Sequence, residues 1–237
     1  MTVQMLKLSP MVAELLHPTY DLSAPLTPDA LMSYCSMRLR GLDEQVNVAF
    51  NKQKIANDDG KTLSDLQSKL WTPNQPVNTA CNGGFEAALG EAKKMLDTAA
   101  CIKDPATRAA LEDKAKALLQ KCQDGLNARA AANKVTPPDV GSFLTMLNEG
   151  ASSGAIDGTL TNLCGAEGTY DVSIADYKAC TTDAVQNIQK DMNASTELSM
   201  ISLQSVMSQR QSAVQLITNM VQALGDQVNK IAANIGH

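Results

Sequence analysis

MISLQSVMSQRQSAVQLITNMVQALGDQVNKIAANI, residues 200–235, decides the fold. Met200, Leu203, Met207, Val214, Ile217, Val221, Leu224, Val228, Ile231 and Ile235 advance by alternating steps of three and four, and only Arg210 interrupts the seam. A repeat averaging about 3.5 residues winds helices into a left-handed coiled coil. From Leu198 to His237 only Arg210, Asp226 and Lys230 are charged. Solvated coiled coils line their flanks with Glu and Lys. The polar, uncharged flanks here suit a helix surrounded by other protein.

A second heptad seam lies near the other end. Thr27-Pro28-Asp29 has the order of a helix start, with Thr as cap and Pro at the first helical position. Met32, Cys35, Leu39, Leu42, Val46, Ala49, Gln53 and Ala56 follow with the same alternation, and Asn57-Asp58-Asp59-Gly60 reads as its end. This helix is predicted to be about half as long as the last one, so part of the C-terminal stripe is left for another chain. Val206, Ala213 and Met220 each sit one position before a seam residue and widen that stripe, which suits more than one partner helix.

Between the two seams the chain reads as mostly helical. Residues 62–71 form a short helical stretch, residues 72–76 a loop, and 84–103 with 106–132 an alanine-rich hairpin turning at Asp104-Pro105. Pro137-Pro138-Asp139 opens a short helix through Leu147. Six glycines between Gly141 and Gly168 mark a long irregular region, and Thr169–Ile174 alternates weakly, as a short strand would. From Ser173 nothing stops a helix before Ile235; Val185, Ile188 and Met192 form its early seam, and Met192, Thr196 and Met200 step by four and four, a stutter.

The expected fold is mainly α, an elongated coiled coil of N- and C-terminal heptad helices with an inserted, mostly helical middle domain. Its parts are a mobile leader (1–27), a first coiled-coil helix (28–57), an inserted domain (60–172) and a long C-terminal helix (173–237). The competing arrangement is a helical bundle with the last helix at its centre.

Composition narrows the function. A net charge of −5 argues against nucleic-acid binding. No apolar run approaches the ~20 residues that span a bilayer, so an integral membrane protein is not expected. The first residues lack a basic segment followed by an apolar core, so no Sec-type signal is expected.

The six cysteines form no CxxC pair, and His17 and His237 lie near opposite ends, which disfavours a metal site. Free cysteines pack readily in cores. The alternative is disulfides formed after export, Cys164 with Cys180 across a loop and Cys81 with Cys122 across the hairpin. No GxSxG, P-loop or HExxH pattern occurs, and neither a catalytic constellation nor a cofactor is expected. Arg210 reads either as a break that sets register, its head snorkelling past the stem, or as half of an intersubunit ion pair.

Three stretches carry a likeness: Leu26 to Tyr34 running into Arg38 to Val46, Glu197 to Arg210, and Leu216 to Val221 running through Ile235. On these the chain resembles the hydrophilic translocators of bacterial type III secretion systems, the needle-tip and filament proteins. The likeness covers the first helix and the last, about a third of the chain. It implies export through the needle without signal cleavage, with the export signal in residues 1–27, and self-assembly at the needle tip. It further implies support for insertion of the translocation pore into a host membrane. The partners it implies are copies of the chain, the needle subunit, pore-forming translocators and a cytosolic export chaperone. Six cysteines depart from what a chain threading a narrow channel unfolded would carry, unless the thiols stay reduced until afterward. A different reading is a cytosolic helical chaperone or adaptor that binds a client through its long C-terminal helix.

Overall fold

The computed structural model describes residues 28–70, 83–164 and 174–235, and these form seven α-helices and no strand. They are α1 (Pro28–Lys69), α2 (Gly83–Cys101), α3 (Pro105–Asn133), α4 (Val140–Asn148), α5 (Ser153–Cys164), α6 (Ile174–Cys180) and α7 (Thr182–Ile235). The protein is mainly helical, with a long helix of 54 residues at its C-terminal end. At ~1.5 Å per residue α7 extends roughly 80 Å. Among the described residues no helix is long and apolar enough to cross a membrane. The leader 1–27, with the export signal assigned to it, lies outside the described residues, as do the loop 72–76 and most of Thr169–Ile174.

Two compact units are present. One is the described part of Met1–Lys52 with that of Leu198–His237; the other is Gln53–Glu197. In the first unit α1 and α7 run antiparallel. Cys35 lies with Ala213 and Ile217, and eight residues further along α1 Asp43 meets Arg210. In the second unit the C-terminal part of α1 and the N-terminal part of α7 are likewise antiparallel, since Gly60 approaches Met192 and Ser64 accepts a hydrogen bond from Gln189.

The second unit is organised around the α2–α3 hairpin. Asp104 caps α3, its Oδ2 accepting from the Thr107 amide at 2.8 Å, and Pro105 occupies the first turn, where its missing N–H is not needed. One core cluster joins the hairpin to α4, α5 and α6 through Phe85, Leu89, Leu126, Phe143, Ile156 and Leu160. Phe85 and Phe143 meet edge to face, with ring centroids 5.2 Å apart. A second cluster joins the same hairpin to α1 and α7 through Leu63, Leu66, Met95, Ile102, Leu111 and Val185.

Several boundaries differ from the sequence reading. The first helix does not stop at Asn57–Gly60 but continues to Lys69. Asp59 is 1% exposed, and its carboxylate accepts the Lys103 amide at 2.9 Å and the Asp104 amide at 2.8 Å. A buried carboxylate with two amide partners has no need of a helix end. Gly60 is where α7 comes close: a Cβ there would lie 3.0 Å from the terminal methyl of Met192. The second compact unit, Gln53–Glu197, takes in parts of both long helices.

The long irregular region contains α4 and α5, with Gly150 at φ +83° turning the chain between them. The C-terminal helix is interrupted at Thr181. Its hydroxyl donates to the Tyr177 carbonyl at 2.7 Å, a back-bond of the kind that bends helices.

Helix α3 ends with Lys134 in the left-handed region at φ 56°, ψ 35°, and the amide of Val135 returns to the Ala130 carbonyl at 2.9 Å. Glycine carries no Cβ penalty there. Lys134→Gly is expected to stabilise the second unit by about 0.5–1 kcal/mol. Thermal unfolding followed by circular dichroism checks this, and an unchanged or lower midpoint contradicts it.

Candidate functional site

The candidate site is the face of α7 that α1 leaves uncovered in the first unit. On α1 the heptad residues point inward. Cys35 and Leu42 are each 6% exposed, and Leu39, Val46, Ala49, Gln53 and Ala56 are half-buried; Met32, at the start of the seam, stays 38% exposed.

On α7 the inward line is shifted by one position. Ala213 is buried, and Ser199, Val206 and Met220 are half-buried. Leu203, Ile217 and Leu224 share that burial. The other half of the predicted seam is exposed: Met200 at 40%, Met207 at 55%, Val214 at 40%, Val221 at 47% and Val228 at 64%. The side chains of Ile231 and Ile235 lie outside the described residues.

The physical basis is the width of the stripe. Three of the seven heptad positions on α7 are largely apolar, whereas two suffice to pack one neighbouring helix. Helix α1 takes the line through Val206 and Ala213 together with the line through Leu203 and Ile217. The line spaced by sevens from Met200 to Val228 is left over.

Arg210 sits between the buried and exposed lines. Its Nε donates to Oδ1 of Asp43, and both side chains are about half exposed. The ion pair is made within the chain. At this exposure it contributes at most about 1 kcal/mol.

In the first unit a cavity of about 380 Å³ opens between the two helices, lined by Tyr34, Cys35, Arg38, Ser208, Ser212 and Ala213 among others. Two small side chains, Cys35 and Ala213, leave that space where larger seam residues would fill it.

Phe50 was not singled out by the sequence pattern. It is 62% exposed on α1, whereas the chain's other two phenylalanines, Phe85 and Phe143, are fully buried. Its off-seam position beside Ala49 was the available signal.

Cys164 and Cys180 are free thiols buried with Cys122 in one core of the second unit, so no bond joins the expected Cys164–Cys180 pair, and Cys81, expected to pair with Cys122, lies outside the described residues. Burial, with a smaller contribution from Cys180, pushes the Cys122 thiol up to about 12. Burial also raises Cys164 and Cys180. Tyr177 in the same core is raised by burial and then by the charge of Glu91. These shifts keep the groups neutral, which suits packing. Among the described residues no group of three or more His, Cys, Asp or Glu is placed to hold a metal ion, and His17 and His237 lie outside those residues.

No protein-family model, curated protein or solved structure matches the chain.

Proposed function

We propose that this chain is a structural subunit exported by a type III secretion system. It oligomerises at the needle tip, as a tip complex or filament, and supports insertion of the translocation pore in a host membrane. The observation that carries the reading is the exposed heptad line Met200, Met207, Val214, Val221 and Val228 on a helix whose flanks are nearly uncharged. An apolar line with a repeat of seven is matched by another helix, and a filament or tip subunit supplies one from the next copy. The likeness of the first and last helices to the hydrophilic translocators supplies the secretion context. In this reading the partners are other copies, the needle subunit and the pore-forming translocators, and the role is mechanical rather than catalytic.

Deletion of residues 223–237 is the test. The full chain is expected to form oligomers or filaments by electron microscopy and to appear in the supernatant of secreting cells with its N-terminus uncleaved. The truncated chain is expected to sediment as a monomer. Assembly of the truncated chain as efficient as that of the full chain would remove the role given to the tail, and retention of the full chain in the cytosol would favour the chaperone reading.

A further inference from the structure

Helix α6 rests on α3. Among the described residues its backbone packs chiefly against that helix, and Asp176 of α6 meets Lys121 of α3 at 3.2 Å. The chain from Tyr177 to Ile188 runs antiparallel to α3. Tyr177 and Cys180 share one core with Leu118, Cys122 and Leu126, and Val185 and Ile188 share the other with Leu111 and Ala115. This order sets Cys180 level with the turn between Leu118 and Cys122. Small side chains line the contact: Ala115 and Cys122 on α3, and Cys180 and Ala184 opposite, all at most 9% exposed. Small residues let helix backbones approach closely, and a disulfide needs its Cα atoms about 4.4–6.8 Å apart.

The third thiol of this core stands apart. Cys164 ends α5, which packs chiefly on α3 and α4. Burial raises its thiol, and the charge that acts on it is that of Arg129, about two turns beyond Cys122 on α3. Burial also raises Cys180, but the charges around that thiol are those of Lys114, Asp176 and Lys121, at the other end of the α3 contact. Cys122 is raised by burial and then by Cys180 itself. The surroundings of the three thiols therefore agree with the packing: Cys180 faces Cys122, and Cys164 does not.

We propose that Cys122 and Cys180 are a redox-sensitive pair, which a low-molecular-weight disulfide such as oxidised glutathione converts into a bond that staples α6 to α3. Cys180 is the point of entry. It is 9% exposed and ends a helix of seven residues, whereas Cys122 is fully buried. The Cys180 thiolate attacks the oxidant, forming a mixed disulfide and releasing one glutathione thiolate. The Cys122 thiolate then attacks the Cys180 sulfur and expels the second glutathione. The two protein thiols lose two protons and two electrons, and one oxidised glutathione becomes two reduced ones. In a reducing compartment the pair stays open, and in an oxidising one it closes. The inference stands on the packing of α3 and α6 and does not depend on the self-assembly reading.

Oxidation of the folded full chain with oxidised glutathione, followed by trypsin digestion without reductant and mass spectrometry, tests the pairing. Trypsin puts Cys122 in residues 122–129, Cys180 in 179–190 and Cys164 in 135–178, so each linkage has its own mass. The expected product is 122–129 joined to 179–190, in wild type and in Cys164→Ala alike, from protein that migrates as a monomer on a non-reducing gel. Closing a loop of about sixty residues is expected to raise the thermal midpoint by about 5 °C or more, and Cys180→Ala is expected to show no such rise. Cys101, exposed at the end of α2, takes up glutathione whenever the oxidant is active and serves as the control. A modified Cys101 beside free Cys122 and Cys180, or Cys180 joined to 135–178, overturns the pairing. The expected linkage with an unchanged midpoint overturns the staple.

Discussion

Replacing Asp59 by Ala is expected to lower the stability of the unit Gln53–Glu197 by about 3–5 kcal/mol. Asp59 lies on α1 with 1% of its surface exposed, and its two oxygens accept the amides of Lys103 and Asp104 in the α2–α3 turn. These are charge-assisted bonds to backbone groups that open the cap of α3. Alanine leaves two amides short of acceptors and a gap where the carboxylate stood. Asn retains one carbonyl acceptor and is expected to lose roughly half as much. The neighbouring Asp58–Lys103 pair, 2.8 Å apart, is exposed and does not substitute for it. Urea unfolding followed by circular dichroism reads the loss. A change under about 1 kcal/mol for Asp59→Ala would show that the turn is held by other contacts.

Alkali is expected to destabilise the same unit strongly. Cys122 stands at about 12, against an ordinary value of 9.0, because it is buried and, to a smaller extent, because Cys180 lies near. A folded-state value above the unfolded one means that the unfolded chain releases its proton first as pH rises. The stabilisation is fully present below pH 9 and is lost progressively toward pH 12. The slope is about 1.4 kcal/mol per pH unit for this one thiol. Between pH 9 and 11 Cys122 alone therefore removes roughly 2–3 kcal/mol. Cys164, Cys180 and Tyr177 in the same core are shifted in the same direction and steepen the loss. Urea midpoints measured at pH 8, 9.5 and 11 give the slope, and Cys122→Ala is expected to flatten it while lowering the midpoint at pH 8. A slope identical in the variant would sink the assignment to Cys122.

Much of the fold was readable from residue periodicity, because heptads constrain burial directly. The α1 seam is an example. Cys35 to Ala56 were placed by their spacing, and those residues face inward. The hairpin was readable for the same kind of local reason, with Asp104-Pro105 supplying both cap and first turn.

Local chemistry misled where its partners were remote in sequence. Asn57-Asp58-Asp59-Gly60 has the composition of a helix end. Yet the acceptors of Asp59 are used by amides more than forty residues away, and Gly60 makes room for Met192. The glycine-rich region was similarly read as irregular, whereas Ile156, Leu160 and Cys164 hold α5 against the hairpin core.

The sequence by itself determined that the C-terminal helix would carry a continuous apolar stripe with uncharged flanks, since side-chain type and spacing are properties of the chain alone. It also showed that the stripe was wider than one partner needs. Only the tertiary structure decided which part of it α1 would cover. Val206 and Ala213 go inward and Met207 and Val214 stay out, because three adjacent apolar lines offer two nearly equivalent pairings. Packing against Cys35 and Leu42, with Arg210 held at the edge by Asp43, selects one of them.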